Sequence, residues 1–292
     1  MSIVAPGYTY CHEHLYIDLS IQKGDLDCRL DQYDNIRQEL LDLKALGVSN
    51  IVEVTNAHMG RNAPFLEQLM IDTGINILVS TGHYIEGFFP PEVTDYTAQQ
   101  LADVMINEIC SGIEGSRLKA SVIGEIGTSY NAFTPLERKV FEAAAIAHLE
   151  TGRPISTHQS LSTMGRQQVM FLTSLGVNPE RITIGHCDLK TNLDDICWLI
   201  EQGCYVQFDT IGKHSYYPDD KRIEMLLELK KRNYLSKVML SMDVTRRSHL
   251  KANGGLGFSY LLTGFVPKLL DNGFSRNDID TMLITNPYTL FK

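Results

Sequence analysis

Residues 120–158 read ASVIGEIGTSYNAFTPLERKVFEAAAIAHLETGRPISTH, and they predict a strand, a helix and a second strand in that order. Residues 120–127 form a run typical of a buried strand. Thr134-Pro135 marks the start of a helix, because proline is favoured at the first helical position. Gly152-Arg153-Pro154 ends that helix and leads into the next run, residues 154–158. Two strands joined through a helix lie parallel in one sheet.

The same alternation recurs along the chain. The eight strand candidates are residues 8–14, 50–55, 76–82, 120–127, 154–158, 181–186, 205–209 and 238–243, and helical patterns include 34–46, 97–110, 135–151, 192–202 and 219–232. No Pro/Ser-rich linker or change in composition divides the sequence. We therefore predict an α/β fold in which residues 1–292 form a single (β/α)₈ TIM barrel of parallel strands with outer helices.

A doubly wound sheet is the alternative fold. No G-x-G-x-x-G follows the first strand candidate, and no G-x-x-x-x-G-K-[ST] occurs in the chain, so the common nucleotide-binding signatures of that fold are missing. The glycine-rich residues 253–257 follow the last strand candidate. Their position favours a flexible barrel loop.

Composition excludes several classes of protein. The chain has 292 residues, 43% of them hydrophobic, and a net charge of -9 with 26 dispersed Lys and Arg, which disfavours nucleic acid as a partner. No segment approaches the roughly 20 apolar residues of a membrane span, and we recognise no signal peptide. The six cysteines show no C-x-x-C pair. These features predict a cytoplasmic protein, and they are compatible with a homo-oligomer.

His12 and His14 stand two residues apart at the end of the first strand candidate. Side chains alternate between the two faces of a strand, so both imidazoles point to the same face. Residues 9–11 favour a strand over a helix, on which this spacing would splay the rings apart. The pair is therefore a candidate for metal binding, although a lone His-x-His motif is a weak signal.

Further ligand-type residues occur at or near the carboxyl ends of other strand candidates. The set is His12 and His14 (first strand), Glu125 (fourth), His158 (fifth), His186 (sixth) and Asp243 (eighth). The carboxyl ends of barrel strands converge at the active-site face. Taken singly, His158 is compatible with a core histidine and Asp243 with a helix cap. Together the six would be costly to bury unless a metal neutralised them.

Several motifs of the chain resemble the phosphotriesterase family of the amidohydrolase superfamily. They are Gly7-Tyr8-Thr9 before His12-Glu13-His14, Gly124-Glu125-Ile126-Gly127, Ser156-Thr157-His158, Ile184-Gly185-His186-Cys187-Asp188, Ser241-Met242-Asp243 and Thr285-Asn286-Pro287. The resemblance runs almost the whole chain.

The resemblance implies a binuclear hydrolase with two Zn²⁺ per chain. It assigns His12, His14 and Asp243 to the more buried metal, His158 and His186 to the more exposed one, and Glu125 to the bridge. A hydroxide between the ions would then attack an ester-type bond of a lactone, carboxyl ester or phosphoester. Asp243 would act as the general base.

Two residues depart from the phosphotriesterases proper. Glu125 stands where they have a carbamylated lysine, so strand 4 or the metals must shift to meet a shorter side chain. Thr210 stands where they have a histidine implicated in proton relay. Both departures favour a substrate other than an organophosphate triester.

The loop after the eighth strand candidate suggests how the substrate is recognised. Arg246 and Arg247 follow Asp243 closely, and guanidinium groups bind carboxylates or phosphates in a bidentate manner. A solvated helix entrance is the competing interpretation. We expect a small, polar or anionic substrate.

Two other classes of function stay open on the sequence. One is a mononuclear zinc amidohydrolase or deaminase in which Glu125 shuttles protons, and metal stoichiometry would distinguish it. The other is a barrel without this chemistry, either a catalytically silent binding protein, with or without metal, or a Schiff-base aldolase. Strand candidates four to six offer an aldolase no lysine at their inner ends, although Lys213 lies just beyond the seventh. A serine hydrolase is disfavoured because no G-x-S-x-G is present.

Overall fold

Eight parallel strands follow one another around the sheet in chain order. The computed structural model describes residues 3–4 and 7–292. The strands are β1 (Tyr8–Glu13), β2 (Val48–Glu53), β3 (Asn76–Thr81), β4 (Val122–Thr128), β5 (Ile155–Gln159), β6 (Ile182–Ile184), β7 (Tyr205–Phe208) and β8 (Val238–Leu240). Strand order in a doubly wound sheet reverses at a switch point, whereas here it does not. The predicted (β/α)₈ TIM barrel is confirmed.

Helices connect the strands. The longer ones, with the last barrel helix, are α1 (Tyr33–Ala45), α2 (Ala63–Thr73), α3 (Ala98–Cys110), α4 (Pro135–Thr151), α5 (Gly165–Ser174), α6 (Leu193–Glu201), α7 (Asp219–Lys231) and α8 (Val266–Asp271). A π-helical turn at Leu261–Phe265 precedes α8. The chain ends in Arg276–Asp280, a second π-helical turn at Thr281–Thr285, and Asn286–Phe291. None of the helices in the described part of the chain is long and apolar enough to cross a membrane.

Short elements decorate the connections. Two-residue strands at Ile17–Asp18 and Arg29–Leu30 form an antiparallel ribbon after β1. Single helical turns lie at Ser20–Lys23, Leu26–Cys28, Ala57–Met59, Pro91–Asp95, Ser160–Ser162, Pro179–Arg181, Leu235–Lys237, Arg247–His249 and Lys251–Asn253. The elements between residues 17 and 30 form the wall of the barrel mouth that follows β1.

All five helices named from the sequence are present, with ends within one residue of those predicted. The ends of β6 and β8 were predicted too far along the chain, at residues 186 and 243. His186 and Asp243 adopt positive φ values of 55° and 50°, which end the extended conformation before those residues. Both side chains still lie just beyond the carboxyl end of their strand.

Side chains close the seam between the first and last strands. Glu13, the residue between the two histidines of β1, accepts hydrogen bonds from Ser241 Oγ (2.8 Å), Met242 N (2.7 Å) and Val244 N (3.0 Å). His12 N donates to Ser241 Oγ at 3.0 Å. The buried Glu13 carboxylate therefore fixes the segment after β8 against β1. Both segments carry candidate metal ligands.

Apolar residues pack on both faces of the sheet. Val52, Leu78 and Met239 belong to a buried cluster that also contains Leu290 and Phe291 of the last helix. Their neighbours Ile51, Ile77 and Val238 belong to the larger cluster that includes the outer helices. Adjacent strand residues face opposite sides of a sheet, so the first cluster fills the barrel interior. The last helix contributes to this interior packing.

The helix start predicted at residues 134–135 gives a test of local stability. Thr134 Oγ1 accepts from Glu137 N, and the Glu137 side chain accepts from Thr134 N, forming a capping box at α4. Thr134→Ala should lower the free energy of unfolding by about 1 kcal/mol in urea denaturation, because the start of the helix loses its cap.

Thr94→Ala is the control. The exposed Thr94 side chain makes no hydrogen bond within the described residues, so this change should shift stability by less than about 0.5 kcal/mol. Equal effects of the two substitutions would show that the box contributes nothing specific to α4.

Candidate metal centre

Glu125 lies at the centre of the residues expected to bind metal. Its Oε2 lies 3.3 Å from His12 Nε2, 3.2 Å from His158 Nδ1 and 3.6 Å from His186 Nε2. Its Oε1 lies 3.6 Å from His14 Nε2. The carboxylate is 2% exposed and the four imidazoles are buried. One carboxylate thus contacts rings from three other strands.

Asp243 joins one side of this cluster. Its Oδ1 lies 3.3 Å from His14 Nε2 and 3.9 Å from His12 Nε2. The structure thus brings together all six residues predicted from strand ends. Asp243 lies with the histidine pair of β1, the grouping that the family resemblance implies.

Three overlapping groups of donor atoms lie close enough to hold a metal ion: His12, His186 and Asp209 form one, and the other two share Glu125. Of the two that share Glu125, one contains His12, His14 and Glu125, and the other contains Glu125, His158 and His186, with all ligand atoms of a group within 4.8 Å of one another. His12 Nε2 is buried and makes no hydrogen bond within the described residues. An unsatisfied imidazole nitrogen facing carboxylates suits a metal ion, and imidazole with carboxylate is a typical zinc donor set. The implied metal therefore fits the residues present.

Backbone geometry brings Glu125 into position. The pairing of β4 with β5 shifts register between Ile123 and Ile126, and such irregularities re-aim side chains next to active sites. Gly124 has φ 128°, and a Cβ there would lie 2.0 Å from the carbonyl oxygen of Ser156. Only glycine permits this approach of β4 to β5. The short glutamate side chain thus projects from a locally distorted strand.

Two candidate ligands occupy left-handed backbone conformations. His186 and Asp243 have φ values near +50°, where the backbone of a residue other than glycine is strained. His186 N donates to both oxygens of Asp209 at 3.0 Å, and Asp243 N donates to His12 O at 3.3 Å. Hydrogen bonds therefore hold both strained residues at the site.

Asp209 was not predicted as part of the centre. This fully buried carboxylate lies 2.8 Å from His186 Nδ1 and 3.2 Å from His12 Nδ1. An imidazole whose Nδ1 is held by a carboxylate presents Nε2 to a metal in a fixed orientation. Asp209 thereby orients His186, whereas His12 Nδ1 faces it without hydrogen-bond geometry among the described residues. Its position at the carboxyl end of the seventh strand candidate was the signal that could have identified it.

Other polar groups orient the remaining rings. Thr55 Oγ1 lies 2.7 Å from His14 Nδ1, and the Tyr84 hydroxyl lies 3.3 Å from His158 Nε2. Lys213 Nζ contacts Asp243 Oδ2. The sequence had suggested Lys213 only as a potential aldolase lysine.

Charge in the centre favours ionised carboxylates. Burial raises the pKa of Glu125, but the adjacent His12 and His158 outweigh burial and hold this pKa well below its usual range. Burial also raises the pKa of Asp243, but Lys213 and His14 outweigh burial and lower this pKa below its usual value. Both side chains are therefore anions ready to ligate a cation near neutral pH.

The Thr210 hydroxyl is fully engaged in a buried network. It donates to Asp188 Oδ2 at 2.8 Å and accepts from Arg222 Nη2 at 2.7 Å. Arg222 Nε also contacts Asp188 Oδ2 at 2.7 Å, and neither charged side chain is exposed. Thr210 therefore has no free donor for a proton relay at the site.

The centre opens into a pocket of about 190 Å³. Arg246 lines it, and its Nη1 contacts Asp25 Oδ2 at 2.9 Å. Arg247 does not belong to this lining. Its guanidinium contacts the Arg29 carbonyl at 2.7 Å and Asp31 Oδ1 at 2.6 Å, which braces the loop after β8 against the segment after β1. Of the two arginines expected to bind substrate, Arg246 lines the pocket and Arg247 does not.

Comparison with known proteins agrees with this site. Residues 2–291 match the model of the phosphotriesterase family, and the chain belongs to that family. It is 58% identical over 292 residues to the phosphotriesterase homology protein of Escherichia coli strain K12, over the full length of both chains. The resemblance inferred from the sequence motifs is confirmed.

Solved structures and a more distant relative extend the comparison. The crystal structure of the E. coli protein, complexed with phosphate in its active site, matches with a TM-score of 0.99 at 57% identity, over 99% of this chain and 100% of that one. A lactonase from Listeria monocytogenes matches with a TM-score of 0.94 at 28% identity, over 98% and 94%. Human N-acetyltaurine hydrolase is 32% identical over 265 residues, which are 86% of this chain and 75% of that one. With relatives that are hydrolases and a cluster of metal-ligand residues, this protein is a metal-dependent hydrolase.

Asp209 provides a test of how the centre is held together. Asp209→Asn should weaken zinc binding by about 10- to 100-fold, because a neutral amide supports the His186 imidazole less strongly. Zinc titration of the apoprotein with a competing chelator measures the affinity. Asp220→Asn, on the exposed surface of α7, is the matched control. Wild-type affinity in Asp209→Asn would refute the orienting role.

Proposed function

We propose that the protein is a binuclear zinc hydrolase that cleaves an ester-type bond in a small substrate bearing an anionic group. The observation that carries this proposal is the sharing of Glu125 between two histidine pairs. The bond is a lactone, carboxyl ester or phosphoester. Each of the two ligand groups contains two imidazoles and the shared carboxylate, and Asp243 adds a fourth side chain to the group of His12 and His14.

The ligands set the charge and the chemistry of the centre. Glu125 and Asp243 contribute two negative charges, whereas four neutral imidazoles contribute none, so two zinc ions leave a net positive, electrophilic site. Bound zinc would supply Lewis-acid activation of water and of the oxygen of the scissile group. In a mononuclear site the second buried histidine pair would have to take up a proton to neutralise the shared carboxylate, which a second zinc ion would make unnecessary.

Side chains of the centre have distinct roles in the reaction. Asp243 turns Oδ1 toward His12 and His14, which leaves Oδ2 as the atom able to accept the proton of the attacking water. Tyr84 and Asp209 hold imidazole rings in place and do not themselves react. With Thr210 engaged by Asp188 and Arg222, the proton passes from Asp243 to the leaving group or to water.

The size and charge of the pocket indicate the class of substrate. A pocket of about 190 Å³ suits a small molecule. Arg246 lines it with a guanidinium group, which can bind a carboxylate or phosphate by charge-assisted hydrogen bonds. The phosphate bound in the active site of the E. coli relative supports a substrate with an anionic group, and the Listeria lactonase supports an ester-type bond.

Amide hydrolysis is the second candidate. Its specific support is the 32% identity to human N-acetyltaurine hydrolase, whose substrate contains an amide and an anionic group. The same metal ligands would support attack of water on an amide as well as on an ester-type bond. Substrate screens should therefore include acylated amino sulfonates and amino acids beside lactones, carboxyl esters and phosphoesters.

Substitution of Glu125 tests the binuclear centre. Glu125 is a carboxylate as synthesised, so apoprotein should take up two zinc ions equally well with and without bicarbonate. Glu125→Ala should retain about one ion, because His12, His14 and Asp243 still provide three ligands. Glu125→Gln should also weaken the pair, since an amide lacks a negative charge.

Elemental analysis after gel filtration measures the stoichiometry, with the exposed substitution Glu142→Ala as control. Bicarbonate-dependent uptake, or two ions bound at wild-type affinity in Glu125→Ala, would contradict the bridging role.

The two adjacent arginines allow a matched test of substrate recognition. Arg246→Ala should raise KM for anionic substrates by a factor equivalent to about 2 kcal/mol relative to neutral analogues of similar size. Arg247→Ala removes the same charge from the same loop but from outside the pocket, so it should not discriminate between the two substrate types. If Arg246→Ala impaired both types equally, its role would be structural.

A further inference from the structure

Lys213 lies inside the candidate metal centre without being a ligand. It follows Gly212 in a tight turn after β7, in which Lys213 N donates to Thr210 O at 3.0 Å. Its side chain is only 10% exposed. Nζ contacts Asp243 Oδ2 and lies 3.4 Å from Thr245 Oγ1. An ammonium group this buried needs a charged partner, and Asp243 is that partner.

Because of this contact, the two oxygens of the Asp243 carboxylate have different partners. Oδ1 lies 3.3 Å from His14 Nε2, on the side of the metal ligands. Oδ2 lies against Lys213 instead. Carboxylates bind metal ions through one oxygen or through both. A charge-assisted hydrogen bond from Lys213 favours ligation through Oδ1 alone, because it holds Oδ2 elsewhere.

We propose that Lys213 is a positioning residue that keeps Oδ2 of Asp243 out of metal coordination and directed at the substrate pocket. Asp243 and Lys213 both line that pocket. In this position Oδ2 retains a lone pair for the proton of the attacking water. The role rests on the proposed hydrolase reaction. Thr210 cannot share it, since Asp188 and Arg222 occupy its hydroxyl.

Lys213→Met tests the proposal by separating metal binding from turnover. The variant should bind two zinc ions with an affinity equal to or above that of wild type, because a positive charge is lost and Oδ2 becomes free to ligate. On a neutral ester, kcat should fall by about 100-fold with little change in KM, because the base is displaced. Lys213→Arg should restore most of the loss, since it retains a cationic donor.

Cobalt substitution provides a readout that does not depend on activity. Ligation through both oxygens raises the coordination number of the ion, so cobalt-loaded Lys213→Met should show weaker visible absorption bands than cobalt-loaded wild type. Lys221→Met is the matched control. Lys221 pairs with Glu224 on the exposed surface of α7 and does not line the pocket. Lys221→Met therefore removes the same charge without touching Asp243.

Three results would overturn the positioning role. One is an unchanged kcat on neutral esters with a higher KM for anionic substrates, which would make Lys213 a substrate ligand. A second is weaker zinc binding with activity restored by excess zinc. The third is a cobalt spectrum identical to wild type. Failure of the proposed function looks different, because wild type itself would then bind fewer than two zinc ions or hydrolyse none of the ester-type substrates.

Discussion

The Glu125 carboxylate is buried among four imidazole rings, and this arrangement explains much of the barrel mouth. An ionised carboxylate is costly to remove from water unless cations or hydrogen bonds replace the lost hydration. Oε2 lies within 3.6 Å of His12, His158 and His186, yet His12 Nε2 has no hydrogen-bond partner among the described residues. Two shared cations would satisfy the carboxylate and the imidazoles together.

Two further buried carboxylates, those of Asp209 and Glu13, help to hold this cluster in place. Asp209 hydrogen-bonds His186 of one ligand group and lies 3.2 Å from His12 Nδ1 of the other. Glu13 lies on the opposite face of β1 from the histidines and hydrogen-bonds the backbone on both sides of Asp243. The His-Glu-His motif thus does two tasks. Its histidines face the centre, while its glutamate fixes the segment that carries the ligand from the far end of the barrel.

The fold could be predicted because its signals are local. Eight β-branched runs, helix starts such as Thr134 and stops such as Gly152 each appear in a few consecutive residues. Helix α2 was not among the helices named, although Asn62 caps its start and Gly74 ends it. Helix α5 was not named either. It begins at Gly165 after Met164 in a left-handed conformation, without a side-chain cap, so the usual start signal is absent. Helix α8 was also not named, since it continues from a π-helical turn and has proline near its start.

The ligand set was predictable for a different reason. A barrel brings the ends of all its strands to one mouth, so residues distant in sequence could be placed together from position alone. The contacts behind the ligands depend on side-chain directions that strand ends do not specify. Asp209 was therefore missed as a neighbour of two histidines and Lys213 as the partner of Asp243, and the contact of Arg247 with Asp31 was not foreseen.

A crystal structure of the zinc-loaded protein, with anomalous scattering recorded on both sides of the zinc absorption edge, tests the central claim most directly. Two zinc peaks are expected, one beside His12, His14 and Asp243 and one beside His158 and His186, with an oxygen of Glu125 bound to each. A single peak at full zinc loading would contradict the account, and so would two peaks that Glu125 does not join.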